Sequence, residues 1–158
     1  MPLLIRVAGI SGSGKTTLLQ ELLGEFNALG HSTACLKHSH HDLELPVKDS
    51  TRLFQASTDG SVIVGQNVVS ITLPLNSRTP MDWTNLLFPE TDIVFVEGWR
   101  AFDLPTILLN TNITDDWTMP KTIIATIGEN KMQGLPHLEN NTEVRDSILK
   151  ILNSTQKQ

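Results

Sequence analysis

Short apolar runs alternate along the chain with longer stretches in which apolar residues recur at helical spacing. Leu3–Ala8 is an apolar run typical of a buried strand. From Leu18 to Leu29 apolar residues return every three or four positions, and Gly30 follows them, which predicts a helix that ends there. Asp92–Val96 contains a continuous apolar run, as expected for a central parallel strand. The pattern at the start of the chain is therefore strand, loop and helix.

The same patterns predict the remaining elements. Further strands are expected at residues 32–36, 61–64, 68–72, 105–109 and 122–126, and further helices at residues 50–56, 80–87 and 142–152. The short Gly-Gln-Asn stretch at residues 65–67 predicts a turn that joins two strands into an antiparallel hairpin. We expect an α/β fold with a mixed, mostly parallel sheet flanked by helices and a β-hairpin insertion. One domain should span residues 1–153, followed by a disordered tail at residues 154–158.

Residues 9–16 read Gly-Ile-Ser-Gly-Ser-Gly-Lys-Thr, a complete G-x-x-x-x-G-K-T phosphate-binding loop between the first strand and the first helix. Backbone N–H groups of such a loop form an anion-binding nest, and the helix N-terminus adds partial positive charge. The fold is thus predicted to be of the phosphate-loop NTPase type. Lys15 is assigned a catalytic role at the terminal phosphates and Thr16 a role as Mg²⁺ ligand. The residues expected to contact the nucleotide here are Gly9, Ser11, Gly12, Ser13, Gly14, Lys15, Thr16 and Thr17.

An acidic residue, Glu97, ends the apolar run of residues 92–96 and is followed by Gly98, Trp99 and Arg100. In phosphate-loop proteins an acidic residue at such a strand end holds Mg²⁺ or its water. We therefore assign Glu97 a catalytic and metal-binding role, with an ordinary surface glutamate as the alternative. Gly98 would permit close approach of the ligand, and Arg100 is a candidate counter-charge for a phosphate.

A histidine-rich segment, Lys37-His38-Ser39-His40-His41-Asp42, follows the predicted second strand. Three interpretations stay open: a metal site, a ligand-binding loop that engages an anion, and ordinary structural residues. Lys37, His38, His40 and His41 are candidate nucleotide contacts under the second interpretation. Asp49 and Arg52 are further candidates, although Asp49 and Ser50 also suit the start of a helix.

Composition narrows the function classes. The 158 residues carry a formal net charge of −5, so no basic surface suggests binding to nucleic acid or to an anionic membrane. No apolar run approaches the roughly 20 residues of a membrane span. The single cysteine, Cys35, has apolar neighbours and is predicted to be buried, and its isolation fits a reducing, cytoplasmic location.

These motifs together resemble the molybdopterin-guanine dinucleotide biosynthesis adaptor (MobB) family. The residues that carry the resemblance are the phosphate loop, Lys37-His38-Ser39-His40-His41-Asp42, Lys48-Asp49-Ser50, Arg52 and Val96-Glu97-Gly98. The resemblance implies a GTP-binding protein with at most slow GTP hydrolysis and with Mg²⁺ as cofactor. It also implies a homodimer that assists the nucleotidyltransferase attaching GMP to molybdopterin, alongside other molybdopterin-handling proteins. Leu45-Pro46-Val47 departs from the Pro-Gly pair usual in the family.

The residues alone leave the base and the reaction open. The Asn-Lys-x-Asp guanine signature is absent, and Glu129 is only a candidate for accepting the guanine N–H groups. A small-molecule kinase is one alternative function, but its several lid arginines are not evident among the scattered arginines of this chain. A nickel-insertion GTPase is another, but it would require a cysteine-based metal site that Cys35 fits poorly.

Overall fold

The computed structural model describes residues 1–39, 43, 49–74, 78–109, 118–129 and 131–155. Two compact units are present, one formed by Met1–His38 with Thr79–Gln158 and the other by Ser39–Arg78. The prediction of one domain over residues 1–153 stays a prediction. No helix in these described ranges combines the length and the apolar character that crossing a bilayer requires.

The larger unit contains a six-stranded sheet. Its strands are β1 (Leu3–Ala8), β2 (Thr33–Lys37), β5 (Ile93–Glu97), β6 (Thr106–Leu109), β7 (Ile123–Ile127) and β8 (His137–Leu138). They lie in the order β2-β5-β1-β6-β7-β8, and every neighbouring pair is parallel. Its helices are α1 (Lys15–Ala28), α3 (Pro80–Leu87) and α4 (Asn141–Thr155). The predicted fold class is confirmed.

Both faces of this sheet are covered, which is why its central strands read as continuous apolar runs. On one face α1 and α4 pack over Ile5, Val7, Phe95 and Ile107. On the other face Leu4, Leu36, Val94 and Val96 pack with partly buried residues that include Met81, Trp83 and Trp99.

The smaller unit contains α2 (Asp49–Ala56) and a hairpin of β3 (Ser61–Val64) and β4 (Val69–Thr72). The two strands pair antiparallel with Val62 opposite Ile71 and Val64 opposite Val69, as the turn at residues 65–67 predicts. Within the described ranges the hairpin forms a sheet of its own rather than part of the central one.

Two elements differ from the sequence prediction. The two-residue strand β8 was not predicted, because two residues are too short for a periodic pattern. Helix α4 continues to Thr155 rather than ending near Leu152, and the hydroxyls of Ser154 and Thr155 donate to the carbonyl of Ile151. The start of the predicted tail is thus helical, and residues 156–158 lie outside the described part.

The prediction that Cys35 is buried is wrong, since its side chain is exposed. Cys35 lies opposite Phe95 in the sheet and therefore shares a face with it. Phe95 is fully buried on β5, which has a strand on each side, whereas β2 is an edge strand with a neighbour on one side only.

Candidate phosphate-binding site

The phosphate loop joins the end of β1 to the start of α1. Gly14 precedes the helix in a left-handed conformation with φ 89°, and Gly12 has φ 76°. Side chains rarely adopt these values, so glycine is required for the chain to curl here before entering the helix. The helix begins at Lys15 without a side-chain cap, so its first N–H groups face the loop rather than a capping residue.

Gly9 and Ser13 pack closely across the loop. A Cβ atom on Gly9 would lie 2.6 Å from Ser13 Oγ and 3.0 Å from the carbonyl oxygen of Leu109. Ser13 Oγ is buried, and within the described residues it has no hydrogen-bond partner. A buried hydroxyl without a partner in the predicted phosphate loop fits a site whose polar groups are satisfied by a phosphate oxygen.

The ammonium group of Lys15 turns back over the loop and donates to the carbonyl oxygen of Ile10 at 2.6 Å. Partial burial lowers the pKa of Lys15, whereas the Glu97 carboxylate acts to raise it, and the cations Arg100 and Lys37 lower it further. The charges of Glu97, Arg100 and Lys37 thus act on Lys15, although these residues come from other segments of the chain.

Glu97 lies at the carboxyl end of β5, next to both β1 and β2. Its partner residue is Val7 on β1 and Lys37 on β2. Lys37 Nζ is 3.3 Å from a carboxylate oxygen of Glu97, whose side chain is only 13% exposed. The largely buried carboxylate thus lies beside a cation, at the same edge of the sheet as the phosphate loop.

The backbone after Glu97 packs against the end of β2. The N–H of His38 donates to the carbonyl of Glu97 at 2.8 Å. Gly98 has φ 94°, and a Cβ atom there would lie 2.8 Å from the carbonyl oxygen of His38. The close approach that glycine permits at this position is therefore made by the chain itself. Trp99 follows with φ 47°, and its ring centroid is 5.0 Å from that of His38.

Arg6 supports this segment and was not singled out in the sequence. Its side chain is 2% exposed and donates to the carbonyls of Trp99 at 3.2 Å and Phe102 at 2.8 Å, and to Thr106 Oγ1 at 3.0 Å. Burial lowers the pKa of Arg6, and the nearby Asp103 opposes that change. One buried guanidinium thus fixes the strained turn that follows Glu97.

The other predicted site residues are spread more widely. Ser11, Thr16 and Thr17 are exposed on the loop and the first turn of α1, and Arg100 and Glu129 are also exposed. Arg52 is exposed on α2, in the smaller unit. His40, His41 and the side chain of Asp49 lie outside the described part of the chain. Among the residues that are described, no cluster of three or more His, Cys, Asp or Glu side chains could hold a metal ion.

Comparison with known proteins identifies a family that this chain matches. The family model for Molybdopterin guanine dinucleotide synthesis protein B, MobB, matches residues 4–129. The molybdopterin-guanine dinucleotide biosynthesis adapter protein of Haemophilus influenzae is 33% identical over 111 residues, which make up 68% of this chain and 62% of that protein. The chain spans slightly less than two thirds of the length of the curated relatives that it matches.

Solved structures agree in fold. A crystal structure of molybdopterin-guanine biosynthesis protein B has a TM-score of 0.75 at 18% identity, over 96% of this chain and 99% of that one. The crystal structure of Bacillus subtilis MobB has a TM-score of 0.72 at 25% identity, over 95% and 97% of the two chains. Because the family model covers most of the chain and these structures share its fold, the protein belongs to the MobB family.

Proposed function

We propose that the protein binds GTP with Mg²⁺ at its phosphate loop and acts as an accessory protein when GMP is attached to molybdopterin. Relatives from two bacteria are named adapter proteins of molybdopterin-guanine dinucleotide biosynthesis. The observation that supports nucleotide binding most directly is the phosphate loop itself, in which Lys15 folds back to the carbonyl of Ile10 and the buried hydroxyl of Ser13 has no partner among the described residues.

The residues present fit a bound triphosphate. Lys15 would exchange its bond to the Ile10 carbonyl for a terminal phosphate oxygen, and Ser13 would donate its hydroxyl proton. Thr16 and Glu97 would hold Mg²⁺, directly or through its waters, and the ion would neutralise phosphate charge. Lys37, His38 and Arg100 surround Glu97 and Lys15 as further proposed contacts.

Hydrolysis of the bound GTP is proposed to be slow at most. Neither the phosphate loop at residues 9–16 nor the segment around Glu97 at residues 95–101 contains a glutamine that could orient an attacking water. Slow turnover suits a protein whose main output is an assembly with another enzyme, here the nucleotidyltransferase that handles molybdopterin.

We also propose a homodimer that forms through the hairpin. Paired strand residues lie on the same side of a sheet, so one face of the hairpin carries Val62, Val64, Val69 and Ile71. All four side chains are exposed, from 49% at Ile71 to 75% at Val64. An apolar face of this kind on a two-stranded sheet requires a cover. Residues 60–77 contain no charged side chain, so a second copy can cover this face without like-charge repulsion.

Titration calorimetry with GTP, ATP and inorganic tripolyphosphate, with and without Mg²⁺, tests the nucleotide proposal. Lys15→Ala should lower GTP affinity at least 100-fold. The variant lacks the charge-assisted hydrogen bond to the phosphate, and losing such a bond costs ~3 kcal/mol. Lys150→Ala removes an exposed lysine from α4 and is the matched control. Unchanged GTP binding by Lys15→Ala would contradict the proposal, and a phosphorylated small-molecule product would favour a kinase instead.

A further inference from the structure

A pocket of about 290 Å³ adjoins the phosphate loop on the side away from Glu97. Its lining includes Thr17, Leu18 and Glu21 of α1, Leu109 and Ile127 at the ends of β6 and β7, and Asn141 at the start of α4. The volume is just below the range of about 300–1,000 Å³ that is usual for small-molecule sites.

The pocket is continuous with the phosphate loop through a shared residue. Gly14, the last residue before α1, also lines the pocket. A ligand whose phosphates occupy the loop would therefore extend its remaining part past Thr17 into this space. The pocket also lies at the carboxyl ends of parallel strands, where sheets of this kind bind their ligands.

The chemistry of the lining is uneven. Leu18, Leu109 and Ile127 supply apolar walls, which suit the faces of an aromatic ring. Glu21 supplies a carboxylate, and the side-chain amide of Asn141 donates a hydrogen bond to one of its oxygens. An ionised carboxylate has about four acceptor positions, so this bond orients Glu21 and leaves it able to accept from a ligand.

A carboxylate at the edge of a ring site distinguishes between purines. Guanine presents two neighbouring donors, the N1–H and the 2-amino group, which match the two oxygens of one carboxylate. Adenine presents an acceptor at N1, whose lone pair would face the carboxylate. Helix α1 offers an internal reference, because Glu25 lies one turn after Glu21 and contacts Arg145 of α4 at 3.7 Å, yet it does not line the pocket.

We propose that this pocket holds the guanine of the bound nucleotide and that Glu21 accepts the hydrogen bonds of its N1–H and 2-amino groups. The inference rests on the proposed GTP-binding function and adds the residue that selects the base. It assigns to Glu21, on the first helix, the role that the sequence suggested for Glu129.

The test compares Glu21→Gln with Glu25→Gln, the same change one turn further along the same helix. Both variants and the wild type are titrated with GTP, with inosine triphosphate, which lacks the 2-amino group, with ATP and with inorganic tripolyphosphate. Thermal unfolding of the two variants controls for the loss of a contact between α1 and α4.

Glu21→Gln should lower GTP affinity about 10- to 100-fold, since a hydrogen bond to a charged group is lost, and should narrow the preference for GTP over inosine triphosphate. Tripolyphosphate affinity should not change, and Glu25→Gln should behave as wild type with every ligand. An equal loss for GTP, inosine triphosphate and ATP in Glu21→Gln would place the ribose at Glu21 and overturn the inference.

The two proposals fail in different ways. If the wild type binds tripolyphosphate and GTP but Glu21→Gln retains full GTP affinity, the phosphate site stands and the guanine pocket is refuted. If the wild type binds neither ligand, the proposed GTP-binding function and the inference built on it are both wrong.

Discussion

Strand β5 of the central sheet and the hairpin β3–β4 are made of the same kinds of residue, yet their surroundings are opposite. Ile-Val-Phe-Val precedes Glu97 in β5, and all four residues are fully buried. Ser-Val-Ile-Val forms β3, where three of four residues are exposed. Both segments form strands because β-branched residues suit an extended backbone. Whether such a strand is buried depends on the elements that pack against it, and the sequence of the strand alone does not reveal those elements.

The contrast also separates two uses of apolar surface. In β5 the buried run fixes the position of Glu97 at its end, because α1 and α4 cover one face and the residues around α3 cover the other. In the hairpin the apolar face is exposed, and the proposed dimer would bury it. One region therefore positions a residue of the proposed nucleotide site, and the other carries the proposed dimer interface.

The largest effect should come from removing a core side chain of β5. Ile93 is fully buried, and Ile93→Ala is expected to cost about 2–5 kcal/mol of unfolding free energy, because it removes apolar contacts and leaves a cavity. Ile71 of the hairpin is 49% exposed, so Ile71→Ala should cost about 1 kcal/mol or less. Urea denaturation at low protein concentration measures the unfolding free energy of both variants. Equal losses in the two variants would contradict the contrast between the buried strand and the exposed hairpin.

An intermediate effect is expected at the end of β5. Gly98→Ala should cost about 1–3 kcal/mol, because φ is 94° and the added Cβ would lie within 3 Å of His38. The same change at Gly24, inside α1 with open space around it, should instead stabilise the protein by about 0.5–1 kcal/mol. Thermal unfolding ranks the two variants, and a stable Gly98→Ala protein would show that the turn after Glu97 can relax.

The smallest effect on stability should come from the outer face of the hairpin. Val64→Ser and Val69→Ser together are expected to change the unfolding free energy of the monomer by no more than about 1 kcal/mol, since both side chains are more than half exposed. The proposed dimer should nevertheless dissociate, because these two residues make up half of its four-residue apolar face. Light scattering during gel filtration measures the mass. A double variant with the same mass as the wild type would place the interface elsewhere.

Local patterns were enough to predict the phosphate loop and the strand that ends at Glu97. The loop is recognised because its glycines and Lys15 occupy consecutive positions, and β5 because it is buried on both faces. The pairing of Glu97 with Lys37 required knowledge of strand order, since β2 and β5 are neighbours in the sheet but not in the chain. Cys35 was misjudged for the same reason, because an apolar run does not reveal which strand lies at the edge.

Arg6 shows most clearly where sequence reasoning stops. In the sequence it is an arginine that interrupts an apolar run, and its partners lie 93 to 100 residues further along the chain. The pocket beside Gly14 was likewise out of reach, because Glu21 and Asn141 are 120 residues apart. Both features depend on the packing of distant segments around β1 and α1.

The position of Arg6 has a mechanical consequence for the proposed site. Strand β1 leads directly into the phosphate loop. Through the guanidinium of Arg6 it also donates hydrogen bonds to the backbone that follows Glu97. A small sliding or tilting of β1 would therefore carry the anion cradle and the turn after the acidic residue in the same direction. The distance between the phosphate loop and this turn would therefore stay constant while the surrounding helices fluctuate, because both are attached to the same strand.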